Sequence, residues 1–273
     1  MIASKRPHRM WLAGAYAAPI GILSGLTGLG GAEFRLPVIA GIFGYPPRTA
    51  VPIDLSVSLF TLTTSLIVRS RSLSLTPVVP LLSVIAAFIV GASITSFIGP
   101  GIAARLSDER LRRIVLAVMT VLGIFLIYQS VYPLHEAKLL AAFLPVLLAA
   151  GLVGGLLVGI VSSTAGVAGG ELQIALLVLV FGVDIKTAGT ASLCMSLPMI
   201  VLNVSRYAAH GAITIDALRS TIVPMGIASI VGAIIGGTFA AVVPVKYLRV
   251  GLGILLIVSS QVVFRKPGQP RSH

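Results

Sequence analysis

Cysteine, histidine and acidic residues are all scarce in this chain of 273 residues. It has one cysteine, Cys194, four histidines, and 8 Asp and Glu residues taken together. A lone cysteine cannot form an internal disulfide, and so few ligand-type residues argue against a metal centre. The same scarcity leaves no grouping of nucleophile, base and acid of the kind that catalysis needs. We therefore predict no cofactor, no metal site and no enzymatic activity.

Charge is scarce as well, whereas apolar residues are abundant. Charged residues make up 10% of the chain, hydrophobic residues 56%, and the mean hydropathy is +1.04. Such a composition excludes an ordinary soluble domain. The net charge is +12, but the basic residues lie between long apolar runs and not on one polar face, which favours membrane topology signals over nucleic-acid binding. We predict an integral membrane protein whose partners are the lipid bilayer and a small substrate, with no nucleic acid.

The apolar runs predict helices that cross the membrane, each crossing needing about 20 residues. Six runs free of Asp, Glu, Lys and Arg are long enough: Met10–Ala32, Ser72–Ala104, Ile114–Leu134, Leu139–Gly170, Thr187–Ser205 and Ser220–Val245. Thr49–Val68, which contains Asp54, and Val250–Phe264 are further candidates. Leu36–Pro47 and Leu172–Val183 are too short for a straight crossing, and each follows a glycine-rich break. Whether these two cross the membrane or turn back as hairpins stays open.

The chain contains an internal duplication. A shift of 138 residues pairs Gly28 with Gly166, Gly31 with Gly169, Glu33 with Glu171, Gly44 with Gly182 and Ser58 with Ser196. Apolar sequence would match by chance on leucine and alanine, not on a rare glutamate between glycines. We predict an N-terminal repeat over 1–134 and a C-terminal repeat over 135–273, which together form one membrane domain.

An odd number of crossings in each repeat would make the second repeat enter the membrane from the opposite side. The predicted fold is therefore an all-α polytopic membrane protein. It has about ten helical segments in two inverted five-segment repeats, with two short broken helices that meet near the midplane. In this arrangement most Lys and Arg residues lie on the side of both termini, which predicts cytoplasmic termini. Arg69 and Arg71 then fall in a loop on the outside.

The glycine-rich breaks are the predicted binding site. Clustered glycines let the backbone leave the helix and approach a ligand, and the helix that follows offers free N–H groups and partial positive charge. Two such ends would attract a small anion. The predicted substrate-binding residues are Gly28, Gly30, Gly31 and Arg35 in the first repeat, and Gly166, Gly169, Gly170 and Gln173 in the second. Glycines spaced four apart elsewhere, namely Gly21/Gly25, Gly151/Gly155/Gly159 and Gly232/Gly236, predict close helix packing instead.

Three acids inside apolar segments are candidates for carrying a coupling proton: Glu33, Glu171 and Asp54. A structural interpretation stays open for each. Glu33 and Glu171 could be held by the positive end of a helix, with Glu33 also paired to Arg35, and Asp54 could pair two helices.

The two glycine motifs, with the sequence Glu33-Phe34-Arg35-Leu36-Pro37, Gly44 and Arg48-Thr49-Ala50, resemble the TauE/SafE sulfite-exporter family of bacterial membrane permeases over nearly the whole chain. The resemblance implies movement of sulfite, thiosulfate or organosulfonates across the bacterial cytoplasmic membrane, coupled to an ion or proton gradient. The family often has three consecutive glycines in its motif, whereas Ala32 follows Gly30-Gly31 here and Ala168 precedes Gly169-Gly170.

Other function classes remain as alternatives. A passive channel or a cation transporter would use unwound backbone carbonyls together with Glu33 and Glu171 to coordinate the ion. A membrane assembly factor would need no transport at all. The position of Arg35 favours an anion, since this side chain would repel a cation.

Overall fold

The computed structural model describes residues 6–103, 120–121, 123–124, 127–128, 143–165, 169–209, 211 and 213–263, without the side chains of some of them. Every regular element in this part of the chain is helical, which confirms the all-α prediction. The α-helices are α1 (Arg6–Thr27), α2 (Ala32–Pro37), α3 (Pro47–Ser72), α4 (Leu82–Ala103), α5 (Leu144–Ala165), α6 (Gly170–Leu179), α7 (Ile185–Ala209), α8 (Ile215–Ala217), α9 (Val223–Phe239) and α10 (Val245–Val263). A 3₁₀ helix at Thr76–Leu81 and π-helical turns at Val38–Ile42 and Leu218–Ile222 continue directly into or from their neighbours.

Several of these helices are long and apolar enough to cross a membrane. The qualifying stretches in the described part are Met10–Thr27, Thr49–Ser72, Thr76–Thr95, Ile185–Ala209 and Ile215–Phe239. The last of them joins α8, a π turn and α9 into one crossing. The predicted crossing at Ile114–Leu134 falls almost entirely outside the described residues, so the total of about ten segments stays a prediction. The protein is a multi-pass membrane protein.

The first break lies earlier in the chain than the apolar runs predicted. The first crossing ends at Thr27 because Gly28 has φ 87, and the short helix begins at Ala32, after Gly31 with φ 71. Both values lie in the left-handed region, which residues with a Cβ rarely adopt. The predicted segment ends at Ala32 and Leu36 were therefore wrong by several residues, although the glycines predicted to break the helix do so.

The two short helices begin with nearly the same backbone geometry. Gly31 precedes α2 with φ 71 and ψ 10, and Gly169 precedes α6 with φ 66 and ψ 13. In each case the residue four positions on donates its N–H to that glycine's carbonyl, as Arg35 does at 3.1 Å and Gln173 at 3.0 Å. The local structure at the start of the short helix thus repeats at the same spacing as the sequence.

The ends of the two short segments also correspond. Tyr45 N–H donates to Ile39 O at 3.2 Å, and Val183 N–H donates to Leu177 O at 3.0 Å. The turn in each case contains a glycine in the left-handed conformation, Gly44 with φ 68 or Gly182 with φ 66. This is the usual way in which a helix end satisfies its last carbonyls.

The long helices pack across the two halves of the chain. Helix α1 packs against α9, α4 packs against α5, and α3 contacts both α7 and α9. Glycines permit this closeness, since a Cβ on Gly25 would collide with Ala233 O and one on Gly236 would collide with Ile22 O. Between α4 and α5, a Cβ on Gly155 would collide with Phe88 O. The predicted packing role of these spaced glycines is confirmed.

Candidate functional site

The start of α6 lies against the first break. A Cβ built on Gly170 would stand 3.5 Å from Leu29 Cδ2 and 3.8 Å from Gly30 N. Leu29 also belongs to the same buried apolar cluster as Leu172. The two glycine motifs, which are far apart in the sequence, therefore lie side by side in the interior. Of the predicted site residues, Gly166 lies outside the described residues.

The Arg35 side chain is completely buried and makes an ion pair within the first half. Its Nε donates to Asp54 Oδ1 at 3.0 Å. Its Nη1 donates to Thr61 Oγ1 at 3.0 Å, and its Nη2 donates to Gly30 O at 2.6 Å and to Ser58 Oγ at 2.5 Å. The guanidinium group thus uses four of its five N–H groups, and one carboxylate compensates its charge.

The partners of Arg35 belong to a polar stripe along α3. The stripe consists of five fully buried residues spaced three or four apart: Asp54, Ser58, Thr61, Ser65 and Arg69. This spacing places them on one face of the helix. Asp54 Oδ2 and Ser65 Oγ are buried and have no hydrogen-bond partner among the described residues. Since burying a polar atom without a partner is costly, both atoms are available to a proton, a water molecule or a substrate.

The equivalent positions in the second half are neutral. Gln173, the counterpart of Arg35, is completely buried, and its Oε1 accepts a hydrogen bond from Ser196 Oγ at 3.0 Å. Ser196 is itself the counterpart of Ser58, so the contact between the short helix and the following long helix is retained. The Gln173 Nε2 group has no hydrogen-bond partner among the described residues. Ser192 stands in the place of Asp54, and no charge is present at either position.

Hydrogen-bond donors occupy the carbonyl oxygens of the first break. Arg69 Nη1 donates to Gly25 O at 3.0 Å and to Leu26 O at 2.9 Å. Ser192 Oγ donates to Gly28 O at 2.8 Å, and Arg35 donates to Gly30 O. Unwound carbonyl oxygens of this kind are the usual ligands of a cation at a broken helix.

Arg69 is the residue that the sequence analysis missed. It was predicted to lie in a loop on the outside, but it lies in the last turn of α3 and its side chain is fully buried. The loop was wrong because α3 continues to Ser72, past the point where the uncharged run ends, while the side of the membrane stays a prediction. The signal that could have found it is the polar stripe, since Arg69 follows Ser65 at the same helical spacing as Ser58 follows Asp54.

The two glutamates lie in the first turns of the two short helices. Glu171 lies in the first turn of α6 and is buried, with 1% of its surface exposed. Glu33 lies in the first turn of α2, and its side chain is outside the described part of the chain. The predicted pairing of Glu33 with Arg35 is therefore untested, while the ion pair that the structure does contain joins Arg35 to Asp54.

A bundle of membrane-crossing helices that encloses paired helix breaks and a buried polar stripe defines a class, the multi-pass membrane transport proteins. The chain belongs to the sulfite exporter TauE/SafE family, whose model matches residues 2–126 and 136–273. This match confirms the resemblance that the glycine motifs indicated. No curated protein matches the chain. The family is one of transporters, which is consistent with a protein that is not an enzyme.

Proposed function

We propose that this protein is a secondary transporter that exports small anions, with sulfite, thiosulfate and organosulfonates as the substrate class. The substrate would bind where the two glycine breaks meet. Rocking of one half against the other would expose this site alternately to the two sides of the membrane, driven by an ion or proton gradient. Family membership supports a sulfite permease, and the geometry of the break supports an anion over a cation.

The occupied carbonyls of the first break carry this proposal. A cation passing through a broken helix is normally coordinated by unwound carbonyl oxygens. Here the oxygens of Gly25, Leu26, Gly28 and Gly30 already accept hydrogen bonds from Arg69, Ser192 and Arg35. These donors make the carbonyls less available to a cation, while the positive ends of α2 and α6 favour negative charge.

The substrate-binding residues in this proposal are those of the two motifs. Gly28, Gly30 and Gly31 with Gly166, Gly169 and Gly170 would let the backbone approach the anion closely. The buried Nε2 of Gln173 would donate to an oxyanion oxygen. Arg35 would donate its one remaining N–H to the anion. Its positive charge is compensated by Asp54 as long as that carboxylate is ionised.

Coupling to a proton has a physical route through Asp54. Its Oδ2 has no hydrogen-bond partner among the described residues, while its Oδ1 accepts from Arg35. A proton on this carboxylate would remove the compensating charge and leave the Arg35 guanidinium free to attract an anion. Glu33 and Glu171, near the starts of the short helices, would be the other carriers. In this proposal the proton and the anion reinforce each other's binding.

We also propose that the two repeats are related by an axis in the membrane plane, with both termini in the cytoplasm of a bacterium. The reciprocal packing of α1 on α9 and of α5 on α4 supports this, because in the sequence match α5 corresponds to α1 and α4 to the region of α9. The bias of Lys and Arg between loops supports the orientation in the inner membrane.

The first test is flux in proteoliposomes that contain the purified protein. Sulfite, thiosulfate, a short organosulfonate and a carboxylate would be compared, with and without an imposed pH gradient. We expect selective movement of a sulfur oxyanion that the gradient drives. Flux that ignores the pH gradient and every other ion gradient would indicate a passive channel, and movement of cations alone would refute the proposal.

The second test places one methyl group where the breaks meet. Gly170 lies in a helix, and an added Cβ would make ordinary contacts of 3.5 Å and 3.8 Å with Leu29 and Gly30. Gly170→Ala should therefore fold normally and still reduce sulfite flux roughly tenfold or more, as positioning at a reacting or binding centre is sensitive to about 1 Å. The matched control is Gly251→Ala, since a Cβ on Gly251 in α10 meets no atom within 4 Å among the described residues. Equal flux in the two variants would place the substrate elsewhere.

A further inference from the structure

The buried guanidinium of Arg69 joins three helices at the first break. It is carried by α3 and donates to Gly25 O and Leu26 O at the end of α1. It also donates from Nη2 to Lys186 O at 2.7 Å and from Nε to Thr190 Oγ1 at 3.2 Å, both in the first turns of α7. Gly25 and Leu26 lie in the last turn of α1, where the helix leaves carbonyl groups without N–H partners. Arg69 therefore supplies the donors that the interrupted helix lacks.

The contact between the break and α7 is close enough to depend on glycine. A Cβ on Gly28 would collide with Gly189 O, and one on Gly189 would collide with Thr27 O and stand 3.0 Å from Arg69 Nη2. The guanidinium group of Arg69 thus lies beside the residues that form the break. Its charge acts on the region where the substrate is proposed to bind.

The two buried arginines at this break differ in charge compensation. Arg35 has Asp54 as an ion-pair partner, whereas the four acceptors of Arg69 are all neutral oxygens. The charged residues near Arg69 on the adjoining helix start are Asp184 and Lys186. The Asp184 Oδ2 atom is engaged by the N–H groups of Lys186 and Thr187. Lys186 Nζ is directed to Ala241 O. The Asp184 carboxylate keeps its negative charge and attracts Arg69 through space, but it is not a direct ion-pair partner as Asp54 is for Arg35. Arg69 thus keeps its positive charge in an interior of low polarity, where a charge acts over a longer distance than in water.

We propose that Arg69 is a selectivity-determining residue, whose buried charge has no direct ion-pair partner among the described residues and therefore excludes cations and attracts anions at the first break. The inference rests on the proposed function and adds a residue that contacts no substrate. Arg69 cancels the negative end of the α1 dipole and adds a net positive charge. This charge adds to the positive ends of the α2 and α6 dipoles near the break.

The test neutralises this charge without removing the guanidinium group. Thr190 is buried and its Oγ1 lies 3.2 Å from Arg69 Nε. Thr190→Asp would place a carboxylate there and give Arg69 the same type of partner that Arg35 has. Thr190→Asn is the matched control, with the same shape and no charge. If Arg69 only holds the helices together, the added ion pair leaves transport the same in the two variants.

The measurement is sulfite flux in proteoliposomes, with the anion-to-cation preference read from the membrane potential under a salt gradient. We expect Thr190→Asp to show roughly tenfold lower sulfite flux than Thr190→Asn and a weaker anion preference, because a unit charge still acts over about 10 Å in a protein interior. Equal flux and equal preference in the two variants would overturn the inference. If Thr190→Asp does not fold, the same measurements are made on Arg69→Lys, which keeps the charge, and on Arg69→Gln, which removes it. Anion preference kept only by the lysine variant supports the inference, and no difference between them overturns it.

The failure of this inference differs from the failure of the proposed function. A wild-type protein that moves no anion refutes the proposed function, whatever the variants do. If the wild-type protein moves sulfite, and Thr190→Asp and Thr190→Asn have the same flux and the same anion preference, only the role of Arg69 is refuted.

Discussion

The first and second broken segments have nearly the same backbone and very different polar surroundings. Gly31 and Gly169 start the two short helices with φ values of 71 and 66. In the first segment the next long helix contributes a carboxylate to a buried arginine. In the second, Ser192 and Gln173 occupy those positions and an amide nitrogen is left without a partner among the described residues. The backbone at the start of the short helix is thus the same in the two segments, while the side chains around it are charged in the first and neutral in the second.

This difference means that the short helix is attached to the following long helix more strongly in the first segment than in the second. The ion pair of Arg35 and Asp54, together with Ser58 and Thr61, joins α2 to α3 through three hydrogen bonds. The corresponding contact of Gln173 with Ser196 is a single hydrogen bond at 3.0 Å. We expect the contact between the short and the long helix to be the more stable one in the first segment while Asp54 is ionised.

The largest expected effect comes from breaking the ion pair of the first segment. Asp54→Ser leaves the charge of Arg35 buried without compensation, which should lower the free energy of unfolding by about 3–5 kcal/mol. The double variant Arg35→Gln with Asp54→Ser recreates the neutral pair of the second segment. It should recover most of the loss, since replacing both partners of a buried pair costs far less than removing one. Thermal unfolding of the purified protein measures both.

The stability of the double variant can also contradict this prediction. If it is as unstable as Asp54→Ser alone, then the instability arises from the lost carboxylate itself and not from an unpaired Arg35. In that case the comparison between the two segments would not rest on charge compensation.

An intermediate effect is expected from alanine at the two helix starts. Gly31 has a left-handed backbone, and a Cβ there would stand 2.5 Å from Ser24 Oγ and 2.7 Å from Ile20 Cγ2. Gly31→Ala should therefore destabilise the fold by at least about 1–2 kcal/mol from the backbone conformation alone. Gly170→Ala, in a helical conformation with room for a methyl group, should instead add up to about 1 kcal/mol. Unfolding midpoints that shift in the same direction for both variants would contradict this assignment of the two glycines.

The smallest effect on stability is expected at Gln173, although transport should change clearly. Gln173→Met keeps the length of the side chain and removes the unpartnered donor, so the free energy of unfolding should change by about 1 kcal/mol or less. If Nε2 binds the substrate, the sulfite concentration for half-maximal flux should rise about tenfold, the loss of one hydrogen bond to a charged group. Ser196→Ala is the control, because it removes the hydroxyl that donates to Gln173 Oε1 and leaves the Nε2 group in place. A wild-type half-saturation value for Gln173→Met would exclude Gln173 from the site.

Local features of the fold could be predicted from the sequence to within a few residues. The helix breaks follow from glycines that take left-handed conformations, and such preferences depend on only a few neighbouring residues. A close-packing role for Gly21, Gly25, Gly232 and Gly236 was also predicted from their spacing, but not that α1 packs against α9. The ion pair of Arg35 with Asp54 was not predicted, because it depends on how α2 lies against α3. The predicted partner, Glu33, is a neighbour in sequence.

Composition and run length were enough to predict a helical membrane protein, and the paired glycine motifs were enough to predict two broken helices. These properties depend on local backbone preference and need no knowledge of distant contacts. The partners of the buried charges came from the packing of the helices: Asp54 for Arg35, and the carbonyls of α1 and α7 for Arg69. A charge in a membrane interior must find its partner in three dimensions, among helices whose order in the chain does not specify their contacts.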